Sequence, residues 1–85
     1  MNGMSKLMEL LKSEITEEAN ATNTTALQNN KKENKLHLDK AMKLIKELQT
    51  YGIEVDCKMR TTKEKDLHYF ETILLDGEEY FSGKL

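Results

Sequence analysis

The sequence predicts an α+β domain: two helices followed by a three-stranded antiparallel β-meander packed on the second helix. Three observations carry this. Leu38, Ala41, Met42, Ile45 and Leu48 recur at steps of three and four, the spacing of one face of an α-helix. From Ile53 the period drops to two, with Ile53, Val55, Cys57 and Met59 alternating with Glu54, Asp56, Lys58 and Arg60. Further on, Asp76-Gly77 separates two strand-like runs, and this dipeptide suits a type I′ hairpin turn, where both central residues need positive φ.

Taken in order, the chain opens with Ser5 as a plausible N-cap and an apolar stripe of Met4, Leu7, Met8, Leu11 and Ile15, widened by Leu10. This predicts helix 1 over about residues 5–19. Residues 20–34 are rich in asparagine and threonine, poor helix formers that favour caps and turns. They read as a polar connector, with local helix around Thr24–Lys31. Helix 2 follows over about residues 36–51, and Gly52 supplies the left-handed cap that ends it. Strands are expected over about residues 53–60, 67–75 and 78–82. A two-residue turn would set Leu75 opposite Glu78, Ile73 opposite Tyr80 and Thr72 opposite Phe81. Strict alternation would then put Phe70, Leu74 and Phe81 on one face of the hairpin and Tyr69, Ile73, Leu75 and Tyr80 on the other.

The chain has 85 residues, which points to one domain. At 38% hydrophobic and 33% charged residues it can fold, but its own core is marginal at this length. Cys57 is the only cysteine, so no internal disulfide can staple it. One cysteine with His37 and His68 falls short of a standard structural zinc site, and no metal or cofactor is expected. Oligomerisation is the remaining common staple, and a homodimer through the apolar stripe of helix 1 is expected. No apolar run approaches the roughly 20 residues of a membrane span, and the first residues do not form a secretory signal. A lone thiol fits a reducing compartment, so a cytoplasmic location is expected.

Motifs for catalysis are missing: the sequence holds no GxSxG, HExxH, P-loop or GxGxxG. Cys57 falls on the apolar side of its strand, where a cysteine behaves as a small hydrophobe. The expectation is therefore a non-enzymatic protein. The net charge is −2, unevenly spread. The only basic concentration is Lys31, Lys32, Lys35, Lys40, Lys43 and Lys46, which suggests a nucleic-acid or nucleotide-binding module as an alternative function. Arg60 is the only arginine, and Asp39 and Glu47 interrupt the basic face, so a solvated helix face is the simpler reading of those lysines.

Protein binding is the first expectation. Leu7, Met8, Leu11 and Ile15 form a stripe on helix 1 larger than one small sheet face needs. With Tyr69, Tyr80 and Phe81 on the hairpin they are interface candidates, since tyrosine, phenylalanine and methionine are enriched in contact cores. Glu54, Asp56, Glu71, Glu78 and Glu79 could present negative charge to a basic site on a partner. The composition fits a small regulator or inhibitor that occupies a partner's surface, of the kind phages and mobile elements encode.

Overall fold

The computed structural model describes residues 3–63 and 66–83. The order of elements is α1 (Gly3–Leu27), α2 (Lys31–Thr50), β1 (Val55–Thr61), β2 (His68–Leu75) and β3 (Glu78–Ser82). The three strands form one antiparallel sheet in the order β1-β2-β3. The α+β class and the β-meander expected from the sequence are both present. Both helices lie on the same face of the sheet: α2 packs on β1 and β2, and α1 packs beside it on β2 and β3. The Met4 side chain of the predicted stripe lies outside the described ones.

Helix α1 departs most from expectation. It starts at Gly3, two residues ahead of the expected cap Ser5, and runs on to Leu27 instead of ending near Ala19. The predicted connector is therefore mostly helix, and the true loop is residues 28–30. Two features explain this. The Thr16, Thr22 and Thr25 hydroxyls donate back to the carbonyls of Lys12, Glu18 and Ala21, four residues earlier, so they do not compete with the helix. The buried stripe also continues past Leu11 and Ile15 through Ala19, Thr22, Asn23 and Ala26 at helical spacing. Tertiary packing thus overrides weak local propensity.

Asn29, at φ 56°, turns the chain. Asn30 then caps α2, accepting the Glu33 N–H at 3.2 Å, so α2 begins five residues before Leu36. At the other end Gly52 takes φ 86°. The Gly52 N–H donates to Gln49 O and the Ile53 N–H to Leu48 O, both at 3.0 Å, the paired bonds of a Schellman cap. Ile53 and Leu48 both lie in the core beneath it.

The core joins Leu11, Ile15 and Ala19 of α1 to Ala41, Ile45 and Leu48 of α2 and to Phe70, Ile73, Leu75 and Phe81 of the hairpin. Strict alternation had divided these four hairpin residues between opposite faces, and two bulges correct that. Between Lys58 and Met59, the partner in β2 steps from Thr72 to Phe70, skipping Glu71. Between Ile73 and Leu74, the partner in β3 steps from Phe81 to Glu79, skipping Tyr80. An extra residue shifts the alternation by one, so Phe70 joins Ile73 and Leu75 on the helix side. The turn itself is as expected: Leu75 faces Glu78, with Asp76 at φ 51° and Gly77 at φ 81°. Ile73, however, faces Phe81, not Tyr80, and Thr72 faces Ser82, not Phe81.

Candidate functional site

The helices cover one face of the sheet and leave the other open. Along β1 the alternation is uninterrupted, so Asp56, Lys58 and Arg60 project from the open face while Val55, Cys57 and Met59 pack toward the core. In β2, Tyr69 stands opposite Arg60, Thr72 opposite Lys58, and Leu74 between Asp56 and Glu79. Tyr69 and Leu74 are both partly accessible. The bulged residue Glu71 joins this face: its carboxylate accepts from Arg60 Nε at 2.7 Å and lies 3.8 Å from Lys58 Nζ. The hydrogen bond from Arg60 holds the Glu71 carboxyl below its ordinary range, with the positive charges of Arg60 and Lys58 acting in the same direction.

Charge on the open face is polarised along the strands. Asp56 and Glu79 flank Leu74 at the turn end, whereas Glu78 stands opposite the core residue Leu75 and so falls on the helix side. Glu54 joins Asp56 and Glu79 through reciprocal bonds with Asp76: its N–H donates to Asp76 Oδ1 at 3.0 Å, and its carbonyl accepts from the Asp76 N–H at 2.8 Å. The sequence reading included Glu54, Asp56 and Glu79 but treated Asp76 only as a turn residue, and it grouped with them Glu78, which the register turns to the helix side. Glu71, placed in the same acidic set, belongs instead to the Arg60–Lys58 cluster in the middle of the face.

The apolar interface candidates separate by depth. Leu11, Ile15 and Phe81 are 5%, 1% and 8% exposed and belong to the chain's own core, which corrects their assignment to a surface. The helix 1 stripe is thus covered largely from within. Leu7 is exposed and Met8 half-buried near the free end of α1. The reason is length: α2 has 20 residues against 25 in α1, so an antiparallel pairing through a short loop leaves the first turns of α1 without a neighbouring helix. Tyr80 is exposed on β3, with Lys12 Nζ 5.3 Å from its ring centre.

The six lysines lie on the helix side of the molecule, and acids are interleaved with them. Lys31 pairs with Asp66 at 3.3 Å. Lys40 and Lys43 share the groove between the helices with Glu14, Glu17, Glu18 and Glu47. Lys35 lines a neighbouring hollow with Asp39 and Asp66, and Lys32 and Lys46 are exposed. The arrangement is a mixed-charge surface with no continuous basic stripe.

Cys57 lies on the apolar side of its strand as expected but is only half-buried, and burial, with the negative charge of Asp56, pushes its thiol up from the ordinary range. His37 binds Glu18 across the helix pair at 2.7 Å and lies 3.7 Å from Glu33. Among the described residues no hydrogen bond joins Cys57 to either histidine.

The residues that sequence reasoning missed are two buried asparagines. Asn23 accepts the Phe70 N–H at 2.8 Å and donates to the Phe70 carbonyl at 2.9 Å. Asn34 does the same for His68, at 3.1 and 2.9 Å. The β3 ladder ends at Thr72–Ser82, with one further bond from the Gly83 N–H to Glu71 O. Beyond it, the two side-chain amides take the place of a neighbouring strand. They lock the helix pair onto β2 and so fix which face stays open. Their only sequence signal was helical spacing with the apolar stripe: Asn23 is four residues after Ala19, and Asn34 is seven before Ala41.

Compared with protein-family models, with curated proteins and with solved structures, the chain matches none of them.

Proposed function

We propose that this chain is a non-enzymatic protein-binding regulator or inhibitor that acts by laying the open face of its sheet on a partner protein. One observation carries the reading: both helices lie on one side, and the other side offers a continuous surface in which Tyr69 and Leu74 sit among charged side chains of both signs. Half-buried aromatic and aliphatic anchors within a polar surround are the composition of a contact surface. The acidic turn end, with Glu54, Asp56, Asp76 and Glu79, favours a partner that is basic at the matching position. The mixed charge of the helix side makes that side a poorer candidate for phosphate binding than its lysine count suggests.

The test is affinity capture from the organism that encodes the chain, run in parallel with three baits. These are the unmodified protein, the open-face variant Tyr69→Ala with Leu74→Glu, and the helix-face variant Lys40→Glu with Lys43→Glu. The expected result is a protein retained by the first and third baits and lost by the second. Material lost only with the lysine variant, sensitive to nuclease and released steeply by salt, would instead make the chain a nucleic-acid-binding module.

A further inference from the structure

The free edge of β1 carries charges that are antisymmetric about its central residue. Reading outward from Cys57, Asp56 and Glu54 lie on one side, and Lys58 and Arg60 on the other. β1 is an edge strand, since the sheet order is β1-β2-β3. Its backbone orientation follows from two bonds. The Glu54 carbonyl accepts from the Asp76 N–H, and the Thr62 N–H donates to the Leu67 carbonyl, so Glu54 and Thr62 face inward. The bulge lies in β2, and alternation along β1 is unbroken. Residues 56, 58 and 60 therefore also face β2, while the N–H and C=O groups of Val55, Cys57 and Met59 point out of the sheet, with no backbone partner among the described residues. The same three side chains form a half-buried row on the core side, open along the edge.

We infer that the occupant of this edge is a second copy of the chain, pairing β1 with β1 antiparallel on a two-fold axis through Cys57. Val55, Cys57 and Met59 then each donate to and accept from the partner strand, Cys57 with its own counterpart and Val55 with Met59. A two-fold axis normal to the sheet keeps both helix layers on one side and both open faces on the other. On the open face, Asp56 stands opposite Lys58 of the other copy and Glu54 opposite Arg60, each pair occurring twice. Neighbouring registers lack this match. An axis through Asp56 sets Asp56 against itself, and one through Lys58 sets Lys58 against itself, and like charges directly opposite destabilise a strand pair. Charged side chains on an edge strand usually block pairing. Here they allow one register and oppose its neighbours.

This contact replaces helix 1 as the basis of the dimer, and it does not depend on the open face binding another protein. The experiment measures the mass of the full chain by light scattering across a concentration series, with Asp56→Lys, Lys58→Asp and the double exchange. Both side chains are exposed, and melting of each variant's monomer checks its fold, including any loss from the Lys58–Glu71 contact. The unmodified chain is expected to dimerise. Each single substitution turns two attractions into repulsions and should weaken the dimer about tenfold or more, and the double exchange should restore most of the loss. A chain that stays monomeric at every concentration overturns the inference. So does a dimer indifferent to the single substitutions, or a double exchange as weak as either of them.

Discussion

Asn23 holds both backbone groups of Phe70, a residue 47 positions away, with a geometry that a neighbouring β-strand would otherwise provide. Phe70 is fully buried, so water cannot replace those bonds. Asn23→Ala strands a buried N–H and a buried carbonyl, and the expected loss is about 2–4 kcal/mol in urea denaturation. Asn23→Asp should also destabilise, because a carboxylate accepts from the N–H but sets negative charge against the carbonyl. Amide hydrogen exchange at Phe70 should accelerate in both variants. Unchanged protection at Phe70 would show that the clamp is dispensable.

Gly77 and Gly83 are required for different reasons, and one pair of substitutions separates them. At Gly77 a Cβ would meet nothing within 4 Å, but φ is 81°. Gly77→Val should therefore cost about 1–2 kcal/mol from the backbone alone. Gly83 has no positive φ, yet a Cβ there would lie 2.7 Å from the Phe70 carbonyl oxygen and collide with Asn23 Nδ2. Gly83→Ala should cost about 1–3 kcal/mol by crowding. Combined with Asn23→Ala, its effect should shrink, because the two share one contact. Strict additivity in thermal melts would count against that account.

Leu11 and Leu10 are neighbours with opposite fates. Leu11→Glu buries a charge beside Ile15 and is expected to remove more than about 3 kcal/mol, enough to unfold a domain this small. Leu10 is 55% exposed, and Leu10→Glu should change stability by no more than about 0.5 kcal/mol. Circular dichroism melts of the two variants decide it, and a folded Leu11→Glu monomer would contradict the core assignment.

The Glu71 carboxyl titrates below its ordinary range because Arg60 donates to it. Its folded pKa lies below the unfolded one, so the favourable interaction is fully present above the unfolded value. It is lost as pH falls through the folded value. Arg60→Gln removes the charge that lowers it, and Glu71 should then titrate nearer an ordinary glutamate. Carbon-detected NMR titration of the side chain reads this directly, and an unmoved midpoint would assign the depression to another group.

Where the determinants are local, the sequence by itself was enough. Asp76-Gly77 specifies its turn because two adjacent residues must accept positive φ, and Gly52 stops α2 for a similar reason. The alternation from Ile53 to Arg60 sets the two sides of β1, since a strand's period needs no partner to be read. Other features depended on the tertiary structure. The asparagine–threonine run after Ala19 lacks helix propensity, but it becomes helix because Thr22, Asn23 and Ala26 are buried against the rest of the chain. The extra residues Glu71 and Tyr80 leave no mark in a two-residue period, yet they decide that Phe70 faces the core with Ile73. The open face exists because Asn23 and Asn34 pair with backbone 47 and 34 positions away, and pairing over such distances is set by the folded packing, not by neighbouring residues.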